Sequence, residues 1–138
     1  MCIRDRAVAV YEVGASKRIE GIRHYVSVDG GMADNIRPTL YGATYTAEVA
    51  NRAGNGPVES VTIAGRYCES GDILIKDVAI PAPRSGDVLV TPATGAYGYA
   101  MANNYNGVPR PPVIFCREGT AKVVVRRETY EDLAARDE

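Results

Sequence analysis

From Val8 onward, apolar positions come in short β-branched or aromatic runs that alternate with polar ones and are cut by Gly, Pro, Asn and Asp. Side chains of a strand point alternately to opposite faces, so this spacing predicts strands joined by tight turns. The expected strands are Val8 to Val13, Tyr25 to Asp29, Tyr45 to Ala50, Ser60 to Tyr67, Asp72 to Ile80, Asp87 to Pro92, Val113 to Arg117 and Ala121 to Arg127. So many strands in so short a chain predict an all-β domain, either barrel or sandwich. The runs Val113 to Cys116 and Lys122 to Val125, joined by Arg117-Glu118-Gly119-Thr120, predict a hairpin. Two segments break the pattern, Ala33 to Gly42 and Thr94 to Asn106, and each predicts a short helix or turn. The charged tail Glu128 to Arg136, with Tyr130 and Leu133 three apart, predicts a short C-terminal helix. The opening Met1-Cys2-Ile3-Arg4-Asp5-Arg6 fits neither element and is set aside as a non-native stub, leaving 7–138 as one domain.

Composition narrows the function. The 138 residues, 46% hydrophobic and 24% charged, suit one soluble domain with a core of its own. Lys+Arg of 16 against Asp+Glu of 17 leaves a net charge of -1, which gives no electrostatic footprint for nucleic acid or an anionic membrane. Cys2, Cys68 and Cys116 are odd in number and far apart, the usage of a reducing compartment, and a cytoplasmic location is expected. No apolar run approaches the roughly 20 residues that cross a bilayer, and the start carries no secretory pattern, so neither membrane attachment nor secretion is expected. His24 is the only histidine. A Ser-His-Asp or Cys-His arrangement would have to recruit it, and the scattered cysteines offer no metal-ligand cluster.

Four segments carry candidate chemistry. Val28-Asp29-Gly30-Gly31-Met32 runs a strand into a glycine pair, where the backbone either turns sharply or approaches a ligand, the plain turn being the commoner use. In Arg37-Pro38-Thr39-Leu40-Tyr41, Pro38 suits the start of a helix, which sets Tyr41 one turn beyond Arg37. A guanidinium and a phenol so placed suit a carboxylate, and a surface ion pair is the alternative. Cys68-Glu69-Ser70-Gly71-Asp72 puts a thiol and two carboxylates on a loop between strands. Negative charge beside a thiol disfavours the thiolate, so this loop suits proton donation better than covalent catalysis; a buried cysteine beside a solvated turn is the alternative. Thr94-Gly95-Ala96-Tyr97-Gly98-Tyr99 sets small residues and amides at a helix start that could receive a phosphate, with Tyr97 as a further donor, or could serve close packing alone.

The blocks Tyr25-Val26-Ser27-Val28-Asp29-Gly30-Gly31-Met32, Arg37-Pro38 through Leu40-Tyr41-Gly42, Cys68-Glu69-Ser70-Gly71-Asp72, Ala93-Thr94-Gly95-Ala96-Tyr97 and Arg126-Arg127-Glu128-Thr129 together resemble the C-terminal part of the diaminopimelate decarboxylase family. These are pyridoxal-phosphate enzymes of the alanine-racemase-like class. The resemblance implies a C-terminal β domain whose partner, an N-terminal (β/α)8 barrel carrying the cofactor lysine, is absent here. It implies decarboxylation of meso-diaminopimelate to L-lysine and CO2, with pyridoxal 5'-phosphate as cofactor. It assigns substrate contacts to Arg37, Tyr41 and Glu69, proton donation to Cys68, and a joint substrate and cofactor contact to Tyr97. It further implies a homodimer in which Cys68 and Glu69 serve the partner subunit's site. None of Lys17, Lys76 and Lys122 lies in a motif like that of the cofactor lysine, so the chain alone is expected to be inactive.

Two rival readings stand beside this. Ornithine or arginine decarboxylases of the same fold carry Asp directly after the cysteine, where this chain has Glu69. Their substrates also lack the distal carboxylate that the Arg37 and Tyr41 pair would bind. A non-catalytic β-barrel homologue that only binds a partner is the second, and the joint retention of Cys68, Glu69 and Tyr97 argues against it.

Overall fold

The computed structural model describes residues 6–52 and 56–138. All but Arg6 of the opening stub therefore lies outside the described residues. Each expected strand has a counterpart: β1 (Val8–Ile19), β2 (Arg23–Val28), β3 (Glu48–Val49), β4 (Val58–Ala64), β5 (Ile73–Pro81), β6 (Val88–Pro92), β7 (Val113–Arg117) and β8 (Thr120–Val125). The short helices are α1 (Arg37–Tyr41), α2 (Gly95–Met101) and α3 (Tyr130–Ala134).

The first six strands form one sheet in the order β3-β6-β1-β2-β4-β5, and among the described residues β7 pairs only with β8. The sheet curls until β3 lies beside β5, which makes an almost closed, barrel-like shell. Its one parallel pairing is β2 with β4. Parallel neighbours cannot be joined by a tight turn, so the chain leaves β2, runs through α1 and β3, and only then returns as β4. That excursion places α1 at one end of the shell. The inward positions fill the interior: Val13, Val26, Val61, Ile63 and Leu89 are each at most 1% exposed. Burying one such side chain stabilises the fold by about 1.5–3 kcal/mol.

The elements differ from expectation at their ends. β1 runs on to Ile19 through an irregular step between Val13 and Ser16, where Ser27 Oγ accepts from the Ala15 amide at 2.8 Å and donates to the Ala15 carbonyl at 3.1 Å. Beyond that step Ser16, Lys17 and Arg18 pair with β2 as an exposed ribbon, so no apolar alternation marks them. β3 keeps only two residues because it is an edge that pairs with β6 alone. α2 ends at Met101, and the chain to Asn106 continues into a single 3-10 turn at Tyr105–Gly107. α3 starts after Glu128, at a capping box in which the Asp132 amide donates to Thr129 Oγ1 and the Thr129 amide to Asp132 Oδ2.

Candidate functional site

The glycine pair is a packing requirement. A Cβ on Gly30 would stand 2.2 Å from the Tyr11 ring, and one on Gly31 would stand 2.6 Å from Asp72 Oδ1 and 2.7 Å from the Tyr67 ring. Asp72, the last residue of the Cys68 segment, is buried beneath this turn. It accepts from the Met32 amide at 2.7 Å and the Tyr67 amide at 2.8 Å. Burial raises its carboxyl above the ordinary range, against the pull of those two amides. Asp34, which caps the Gly31 amide at 3.0 Å, is raised by burial as well. Burial, followed by the Asp34 charge, pushes the Tyr67 phenol up to about 12. The two carboxylates of the segment therefore divide: Asp72 fixes the turn, and only Glu69 faces outward.

Cys68 and Glu69 are both exposed. Glu69 Oε1 accepts from the Gly71 amide at 3.1 Å and from Ser70 Oγ at 3.2 Å, and the Gly71 amide above all holds this carboxyl below its ordinary range. Oε2 faces the Tyr105 hydroxyl at 3.4 Å. Thr39 Oγ1 on α1 donates to the Gly71 carbonyl at 2.9 Å, so α1 leans on the same loop. The loop thus presents a thiol and an ionised carboxylate side by side in fixed backbone, an arrangement able to donate a proton and to bind a cation. A buried cysteine is ruled out.

Arg37 and Tyr41 open and close α1, one turn apart, and Gly42 stops the helix at φ 61. Arg37 Nη1 donates to Tyr45 Oη at 3.3 Å and lines an open groove of about 390 Å³ with Thr44, Tyr45, Pro92 and Ala93. Tyr41 is 65% exposed. Among the described residues no hydrogen bond or ion pair joins Arg37 or Tyr41 to Cys68 or Glu69. Ala93, at φ 62 on the groove wall, leads into α2. There Tyr97 is 59% exposed. The seven residues of α2 carry no side-chain cap and no basic residue, so the donors at this helix start are its backbone amides and the Tyr97 hydroxyl.

Tyr105 joins the Cys68 loop although none of the four candidate segments contains it. Its ring meets that of Tyr67 edge-on at 5.9 Å between centroids, and its hydroxyl faces Glu69. A lone aromatic inside the polar run Asn103-Asn104-Tyr105-Asn106-Gly107 was the available signal. His24 does sit between Ser16 Oγ, 2.6 Å from Nε2, and Glu59 Oε2, 3.0 Å from Nδ1. Arg18 holds the same Glu59 oxygen at 2.6 Å, which spends that charge on an ion pair, so the cluster braces β1, β2 and β4.

Residues 4–95 match the family described as pyridoxal-dependent decarboxylase, C-terminal sheet domain. The chain is 53% identical over 135 residues to a diaminopimelate decarboxylase of Bacillus subtilis, covering 98% of this chain and 31% of the relative. It is similar to the solved diaminopimelate decarboxylase of M. jannaschii in complex with L-lysine, at 35% identity and TM-score 0.88, over 95% of this chain and 30% of that one. It is similar also to that of Helicobacter pylori with L-lysine, at 30% identity and TM-score 0.87, over 96% and 32%. The chain thus spans about a third of the length of the relatives it matches.

Proposed function

The chain belongs to the pyridoxal-dependent decarboxylase family as its C-terminal sheet domain, and from that premise we propose that it forms the substrate-facing part of a diaminopimelate decarboxylase. The reaction is removal of CO2 from meso-2,6-diaminopimelate to give L-lysine, the last step of lysine biosynthesis. The observation that carries this reading is the exposed Cys68–Glu69 pair, whose carboxylate is already oriented by the Gly71 amide and Ser70.

The substrate end that keeps its carboxylate is bound by the Arg37 fork, with the Tyr41 phenol as a second donor. Glu69 accepts from the ammonium at that end. Cys68 Sγ gives a proton to the carbon from which CO2 departs. Pyridoxal phosphate, when bound, supplies the electron sink for that carbon. The chain's own fit to the cofactor is narrow: exposed Tyr97 offers a hydroxyl, while Lys17, Lys76 and Lys122 stand on exposed positions of strands β1, β5 and β8 and belong to neither α1, the Cys68 loop nor α2. These residues suit an outer contact to the cofactor rather than its covalent attachment, which belongs to a preceding (β/α)8 barrel. We further propose a homodimer in which the exposed Cys68 and Glu69 reach into the partner subunit's site. The three dispersed cysteines suit work in the cytoplasm.

The test is a fusion of this chain to the part of the Bacillus subtilis relative that precedes the matched region. Turnover of diaminopimelate, with no CO2 released from ornithine or arginine, is the expected result. Cys68→Ala should lower kcat by about 100-fold or more, the usual contribution of a positioned acid. Release of CO2 from ornithine at a comparable rate would transfer the assignment to the diamine-forming decarboxylases.

A further inference from the structure

Tyr105 is held from several directions before it meets Glu69. The Asn103 amide donates to the Ala33 carbonyl at 2.9 Å, tying the turn to the segment behind Gly31, and Asn103 Oδ1 accepts from the Tyr105 amide at 3.0 Å. Asn104 Nδ2 reaches the Val108 carbonyl at 3.1 Å and Glu128 Oε2 at 2.7 Å. Asn106 and Gly107, at φ 56 and 67, close the turn in the left-handed region that Asn and Gly tolerate. The ring then stands edge-on against Tyr67, whose backbone amide donates a hydrogen bond to Asp72 Oδ2. From this pinned base the hydroxyl faces Glu69 Oε2, the oxygen left free by the Gly71 and Ser70 donors, at 3.4 Å. That reach is long for a hydroxyl and a carboxylate, as is common in sites without substrate, where such bonds tighten on binding.

We infer that Tyr105 is a positioning residue for the substrate-recognising carboxylate of Glu69, aiming its second oxygen through the phenol hydroxyl while Tyr67 holds the ring. This rests on the role given to Glu69 above. Orientation of a group that grips an unreacting end of the substrate contributes equally to ground and transition states, so its loss should appear in KM and not in kcat.

In the fusion, Tyr105→Phe keeps the ring against Tyr67 and removes only the hydroxyl. KM for diaminopimelate should rise about tenfold with kcat unchanged, as for one lost hydrogen bond to a charged group, and calorimetric affinity for L-lysine should fall by the same factor. Adding Tyr105→Phe to Glu69→Gln should change nothing further, because the hydroxyl then has no carboxylate to orient. If Glu69→Gln raises KM while Tyr105→Phe leaves both KM and lysine affinity in place, the positioning role is overturned and the reading of Glu69 stands. If Glu69→Gln itself leaves KM unchanged, that underlying reading fails, and this inference with it. A fall in kcat for Tyr105→Phe at constant KM would also overturn it, because it would put the residue to work on Cys68 instead.

Discussion

In the six-stranded sheet Val13, Val26, Val61, Ile63 and Leu89 are at most 1% exposed, whereas in the β7–β8 hairpin Ile114, Phe115 and Val123 are 49%, 65% and 57% exposed. The residue types are alike. The sheet closes on itself, so one face of each strand finds apolar neighbours within the chain. In the hairpin, Ile114 and Phe115 are adjacent and point to opposite faces, and Val124, 42% exposed, is bare beside Val123. A two-stranded ribbon open on both faces is marginal by itself. What ties it down is Glu128, just beyond β8, which accepts from the Arg110 amide at 2.8 Å and Arg110 Nε at 2.7 Å, and pairs with Arg110 Nη2. The contrast teaches that the sheet buries one apolar face of its strands within the chain, while the hairpin leaves like side chains bare.

The largest expected effect lies in the sheet. Leu89→Ala removes a fully buried side chain, and urea unfolding of the 138-residue chain should show a loss of about 2–5 kcal/mol. The hairpin should respond differently in different contexts. Phe115→Ser should alter the isolated chain by no more than about 0.5 kcal/mol, as exposed positions do. In the fusion the same change should cost about 2 kcal/mol, if the patch is covered there. Equal small effects in both would show that nothing covers the hairpin.

Acid should then separate the two regions. Glu128 titrates at about 2 in the folded chain against an ordinary 4.5, chiefly because of Arg110. Its folded value lies below the unfolded one, so its contribution is complete above about 4.5 and is lost as pH falls towards about 2. Asp72 runs the other way. Burial raises its folded value above the unfolded one, so protonation as pH falls through that raised value favours the folded state. Amide exchange should therefore show the Arg110 amide losing protection across the Glu128 window while the Met32 and Tyr67 amides keep theirs. Simultaneous loss at all three would contradict the distinction. The smallest effect is expected at the hairpin turn, where Arg117 and Glu118 form an ion pair with side chains 87% and 80% exposed. Glu118→Gln should leave Tm unchanged within error.

The sheet was legible because β-branched alternation survives wherever a strand has one buried face. Where the ladder runs on without burying anything, as at Ser16 to Arg18, the sequence looks like a turn. On the site side, Pro38 announced α1 and with it the one-turn spacing of Arg37 and Tyr41. The difference between Glu69 and Asp72 was not legible, since it depends on Gly31 and Gly65 admitting one carboxylate to the interior; a Cβ at Gly65 would stand 2.2 Å from Asp72 Oδ2. Tyr105 meets Glu69 across 36 residues of sequence, a separation that only the folded chain closes.

In the proposed enzyme, Cys68 and Glu69 are one half of a site completed by another subunit. The most direct measurement mixes two versions of the fusion, one carrying Cys68→Ala and the other lacking the cofactor-binding lysine of the fused part, and follows CO2 release from diaminopimelate after verified subunit exchange. With random reassortment, half the dimers are mixed and each holds one intact site of two, so activity should recover to about a quarter of that of the unaltered fusion. Activity no higher than that of either parent would place Cys68 in its own subunit's site, or outside the chemistry altogether.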